Sequence, residues 1–291
     1  RPRIPGVFER GATQPAGMDR PSNAARLSPR AASVYTRVIV GNEGQMTDIA
    51  VQPIVTPAAS KGLLARAVGV IFAPKATHAA IAAHPRVLGA ILLILFISCA
   101  GVLALLSTEV GQQAALDQQL QQREAFGLPP MTDAEYARVE TFLPYFGYVG
   151  AASVAFSLVL LAFVVSGLMY AIFNALLGGD ATFKQVLAIV VHSGFVFSLS
   201  TFFSVPLNYV RGSLTSTTNL GVFVPFLEET SFGARFLGAL DLMVMWWIVN
   251  LAIGLGVLYR RRTGPIGTGM LLTYLAIALM IATVRSMLSG A

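Results

Sequence analysis

Cysteine is almost missing from this 291-residue chain. Cys99 stands alone, inside an apolar run, so neither an intramolecular disulfide nor a multi-cysteine metal site can form. Charge is scarce as well. Asp, Glu, Lys and Arg make up 12% of the residues, against about 25% in soluble domains, and too few remain to cover a water-facing surface. Histidine occurs three times. His78 and His84 are six residues apart, which does not put them on one helical face, and no cysteine or carboxylate accompanies them as a metal ligand. The chain holds no His-Glu-x-x-His, no Gly-x-Ser-x-Gly and no Gly-x-x-x-x-Gly-Lys, which removes the sequence signatures of zinc proteases, serine hydrolases and phosphate-loop enzymes. Gly264-Pro-Ile-Gly-Thr-Gly269 imitates a phosphate loop, but no strand precedes it and Pro265 lacks an amide donor, so it reads as a tight turn.

What is present is apolar: 55% of the residues are hydrophobic. Phe236–Arg262 is the most informative stretch. Up to Tyr259 it carries one charge, Asp241, and it then ends in Arg260, Arg261 and Arg262. At about 1.5 Å per residue it crosses a hydrocarbon core of roughly 30 Å, and the arginines mark its cytoplasmic end. Four further spans are expected, at Val87–Ser107, Tyr148–Phe173, Gln185–Leu207 and Gly267–Met287. Pro206 and Asn208 are expected to end the third, and Gly264-Pro265 to turn the chain into the fifth.

Loop charges orient the domain. Residues 108–144 hold six acidic and two basic groups, a net of −4, and form an outer loop. Gln112–Glu124 reads as a polar helix within it, and Thr132 followed by Glu135 reads as a capping box opening another. Residues 61–86 mix apolar positions with Lys61, Arg66 and Lys75, and Pro74 and Pro85 divide them into a pair of interfacial cytoplasmic helices. Residues 1–60 read as a disordered basic tail and lead. Within them, 1–45 carry a net of +4, and the stretch before Met46 looks like a ribosome-binding region, so the native protein is expected to start at Met46. The sequence pI near 9.8 reflects this tail and the positive-inside loops rather than a nucleic-acid surface, and no nucleic-acid partner is expected. The fold class is therefore all-α: a polytopic membrane protein whose domain at 87–288 holds five spans, with the amino terminus in the cytoplasm and the carboxyl terminus outside.

Polar residues within the spans are the candidate site: His192, Asp241, Trp246 and Asn250. A histidine in a span suggests a proton relay or ligand role, beside the plainer reading of a neutral side chain bonding a neighbouring helix. Asp241 and Asn250 suggest an ion or lipid-headgroup site between spans, beside the plainer reading of an interfacial acid and an interhelical hydrogen bond. Trp246 lies deeper than an aromatic belt requires. No catalytic residue, metal or cofactor is expected.

The lead IFAPKATHAAIAAHPR, the stretch GGDATFKQVLAIVVHSGFVFSL and LDLMVMWWIVNLAIGLG together resemble prokaryotic members of the Yip (Ypt-interacting protein, Yip-one domain) family of five-span membrane proteins. The matching points are Phe72, Pro74, Gly179–Phe183 with Lys184 and Gln185, and Asp241, Trp246 and Gly254, within a resemblance that covers about Leu63–Leu288. Eukaryotic members of that family act in vesicle traffic and contact Rab-type GTPases. Their Asp-Leu-x-Gly-Pro motif is not followed here, since Asp241-Leu242 lacks the Gly-Pro. The resemblance implies a non-enzymatic scaffold, with the bilayer, an unidentified membrane protein and further copies of itself as partners; the start at Met46 and the acidic outer loop point to a bacterial inner membrane. A transporter or accessory transport subunit is the alternative, and would need polar residues from several spans to converge in mid-membrane around His192 and Asn250, with Thr273 a further candidate.

Overall fold

The apolar runs become helices in the computed structural model, which describes residues 62–228 and 231–288. The expected tail and lead at 1–60, including the start at Met46, lie outside the described residues. The helices are α1 (Leu63–Phe72), α2 (Pro74–Ala83), α3 (Leu88–Leu106), α4 (Glu109–Ala125), α5 (Asp133–Phe142), α6 (Phe146–Tyr170), α7 (Phe183–Ser193), α8 (Phe195–Arg211), α9 (Phe232–Gly238), α10 (Leu242–Leu258) and α11 (Thr263–Leu288). The described part is all-helical apart from one isolated bridge between Asn219 and Asp241.

Four segments are long and apolar enough to cross a membrane: Leu88–Leu106, Asp133–Leu176, Phe183–Arg211 and Thr263–Met287. α10 has 17 residues, the short end of the range that spans a bilayer. It begins six residues later than the sequence suggests. The Asp241 carboxylate accepts from the Met243 and Val244 amides at 2.7 and 3.3 Å, which fixes the helix start there and leaves Phe236–Gly238 in α9.

Two other expected boundaries move for local reasons. Pro206 lies inside α8, which runs on to Arg211 and stops at Gly212, whose φ of +58° suits glycine. Gly264-Pro265 is not the turn but the first turn of α11, where proline's missing amide costs nothing. The turn is made instead by Arg260 at φ +52°, with the Arg261 amide donating back to the Gly256 carbonyl at 2.9 Å.

Caps explain the polar ends. Thr108 accepts from the Gly111 amide to start α4, and the Thr132–Glu135 capping box starts α5 as expected. The Thr132 amide and hydroxyl hold the Glu135 carboxyl below its ordinary range. A second box, Thr182–Gln185, starts α7, and Gln185 Nε2 also donates to the Ala82 carbonyl at 3.1 Å, tying α7 to the end of α2. Replacing Thr182 by alanine is expected to lower stability by about 1 kcal/mol, with serine restoring it, as read by thermal unfolding in detergent.

α3 packs on α6 and α8, while α2, α7 and α11 pack on α10, and α6 and α7 join the two groups. α1 and α2 form at the expected place, but they do more than lie along a headgroup surface. Thr77, His78 and Ile81 of α2 are buried against α7 and α10, and Arg66 and Val70 of α1 are buried as well.

Candidate functional site

Gly254 lets α2 approach α10. A Cβ there would stand 3.1 Å from His78 Nδ1, so the imidazole occupies the space that a larger residue would take. One turn earlier on α10, Asn250 is 2% exposed. With its amide turned to satisfy both neighbours, it donates to the Val70 carbonyl at 2.9 Å and accepts from Trp246 Nε1 at 3.1 Å. α10 thereby holds both lead helices: α1 through Asn250 and α2 through Gly254.

α7 supplies the third wall. His192 is fully buried, and its Nδ1 donates to the Ala188 carbonyl at 2.7 Å, leaving Nε2 without a hydrogen-bond partner. Ser193 beside it is spent on the Ile189 carbonyl. His78 faces Asn250, which favours its charged form, but neither ring nitrogen makes a hydrogen bond of ordinary geometry, and the Thr77 hydroxyl makes none. Burial pushes the His78 imidazole down to about 4, and nearby His192 acts in the same direction. Both imidazoles are buried, His78 beside Asn250 and His192 near the buried cation Arg66, with no buried carboxylate among the described residues. No group of three or more His, Cys, Asp or Glu able to hold a metal occurs among the described residues. The arrangement can accept or donate single hydrogen bonds between helices; it does not present a nucleophile with a base.

Of the four residues singled out from the sequence, His192, Trp246 and Asn250 belong to this α1–α2–α7–α10 cluster. Asp241 lies at the opposite end of α10. Besides capping the helix, its carboxylate accepts from the Ser216 hydroxyl and, at 2.8 Å, from Thr218. Its amide donates to the Tyr274 hydroxyl at 2.8 Å. It is a clamp for the 212–241 connection. Thr273 is also elsewhere, donating to the Gly269 carbonyl on α11.

Sequence reading passed over Thr77, weighed His78 only as a metal ligand and placed Arg66 at a headgroup surface. The available signal was Thr77, His78 and Ile81, which share one face of α2; pairing His78 only with His84 conceals it.

No curated protein and no solved structure matches the chain. The family model described as the Yip1 domain matches residues 68–285, a range that includes α2, α7 and α10 and every residue of the polar cluster except Arg66. With three-quarters of its length so matched, the chain belongs to the Yip1 domain family.

Proposed function

We propose that the chain is a non-enzymatic, five-span integral membrane protein that organises other membrane proteins, as a scaffold or trafficking-type partner. Family membership carries the reading. It is supported by how little of the membrane-length helices is used internally: the apolar windows of α3 and α11 are only 17% and 11% buried. That leaves long apolar faces for lipid and for partner helices.

α10 is taken as a span beside the four membrane-length segments, the fourth in chain order. Two ties favour this path: Arg261 Nη2 donates to the Leu177 carbonyl at 2.8 Å, and Arg235 Nη1 donates to the Arg285 carbonyl at 3.0 Å. The first joins the turn after α6 to the turn after α10, and the second joins the connection before α10 to the far end of α11. The basic turn Arg260–Arg262 is assigned to the cytoplasm of a bacterial inner membrane and the acidic 108–144 segment to the outside. The transport alternative is weaker, because Thr273 does not join His192 and Asn250.

Single cysteines at Leu177, Arg262 and Ser213 in a Cys99→Ser background test the path with an impermeant thiol reagent. Leu177 and Arg262 are expected to react from one side and Ser213 from the other. Labelling of positions 262 and 213 from the same side would sink α10 as a span. Crosslinking in native membranes with mass spectrometry tests the scaffold. Recovery of a reproducible membrane partner, lost when surface positions on α11 are changed, is the expected result; a solute flux abolished by Asn250→Leu in a folded protein would favour transport.

A further inference from the structure

A long groove lies between α6, α10 and α11, separate from the polar cluster. It has a volume of about 760 Å³, within the roughly 300–1,000 Å³ of small-molecule sites. Leu168 and Ile172 line one wall, Val244 and Trp247 the floor, and Met270 and Ile277 the other wall. Val244, Trp247 and Ile248 of α10 lie at the end of the groove far from the arginines. Its other end lies between Arg261 and Arg262. A second depression of about 620 Å³, between α2 and the end of α10, is lined by Lys75, Arg260 and Arg261. Arg261 borders both. A largely apolar groove, running along α11 from Ile277 to Pro265, therefore opens into a basic mouth.

The mouth is built rather than incidental. Arg261 donates one guanidinium N–H to the Leu177 carbonyl, which holds the side chain across the groove end. Arg260 is the non-glycine residue with positive φ among the described residues, at a helix end where glycine is the usual choice. Three consecutive arginines thus begin in a conformation that glycine would adopt at lower cost. The amino-terminal end of α11, with its partial positive charge, opens at the same place.

We propose that this groove is a binding site for an anionic glycerophospholipid, with an acyl chain along α11 and the phosphate at Arg261 and Arg262, flanked by Lys75 and Arg260. The groove is walled by α6 and α11, which belong to membrane-length segments, so lipid is the solvent at its side, and guanidinium pairs with phosphate through two parallel hydrogen bonds. Charge complementarity selects the lipid over a second copy of the chain: a partner helix seated in the groove would have to bring a counter-charge to the arginines. The site needs the turn after α10 to lie at a membrane face; it does not depend on the scaffold role.

The full chain, purified in detergent and exposed to equal phosphatidylglycerol and phosphatidylcholine, would be read by native mass spectrometry. Phosphatidylglycerol is expected to be retained preferentially, and Arg261→Gln with Arg262→Gln to lower that retention at least roughly tenfold. Gly269→Phe is expected to abolish retention of both lipids, since a Cβ at Gly269 meets nothing within 4 Å and the ring has the groove to fill. The paired arginine substitution is at exposed positions, so it keeps the test sound if Gly269→Phe does not fold. Equal retention of the two lipids, or retention untouched by the arginine changes, overturns the proposal. So does displacement of the lipid by soluble glycerol phosphate, which would mark a simple phosphate site. A lipid-free dimer broken by Gly269→Phe would assign the groove to a second copy and overturn it too.

Discussion

Leucine in place of Gly254 is expected to lower stability by about 3 kcal/mol and to release α2 from the bundle. The Cβ alone would stand 3.1 Å from His78 Nδ1 and 3.2 Å from its Cε1, and nearer still to Ile189 Cγ2. His78 and Ile189 are both fully buried, so neither has an open side to move into. The least costly response is to lift α2 away, which would expose Thr77, His78 and Ile81 together. Alanine at 254 should give a smaller loss in the same direction. Gly269→Ala is the control, with open space at its Cβ and an expected gain of up to about 1 kcal/mol from helix propensity. Thermal unfolding in detergent gives the stability, and protease cleavage between α2 and α3 reports the release. Gly254→Leu melting with the wild type and resisting protease would show that the α2–α10 approach is not structural.

How far the fold is legible in sequence depends on whether the cause is local. α3 and α6 read directly, because an unbroken apolar run has one solution in a bilayer. The Thr132–Glu135 box also reads directly, since both partners lie within one turn. The start of α10 does not. Asp241 caps α10 through the Met243 and Val244 amides, but Ser216, Thr218 and Tyr274 come from distant segments to hold it in that place. The proline at 206 suggests a stop, yet α8 continues to Gly212, where the backbone turns left-handed. The same limit governs the site. His192, Trp246 and Asn250 are visible as polar interruptions of apolar spans. His78 is not, because its helix is too short to span and its meaning comes from Gly254 and His192 on two other helices. Asp241 looks like a site residue for the same reason that His192 does, and the difference between clamp and cluster is tertiary.

Acid should unfold or open the protein through His78, by about 3 kcal/mol between pH 6.5 and about 4. Burial holds this imidazole neutral in the folded chain down to about 4, whereas the unfolded chain takes up the proton near 6.5. Between those values the unfolded state binds more protons, so stability falls as pH falls, at about 1.4 kcal/mol per unit. Above 6.5 His78 is neutral in both states and contributes no slope. Glu135 is held below its ordinary value, so its contribution is lost only at lower pH, as its carboxyl protonates, and does not enter the upper part of the window. Protonation has a structural consequence as well: a charge on His78 would be buried beside His192, with no buried carboxylate among the described residues to meet it. The helix that can leave is α2, held by Gly254 packing and by Gln185 at its end. Melting temperature followed from pH 6.5 downward is the measurement. The wild type should lose stability through the window, and His78→Phe should lose markedly less. Parallel curves for the two proteins would place the acid sensitivity elsewhere and leave the α2 imidazole a packing group alone.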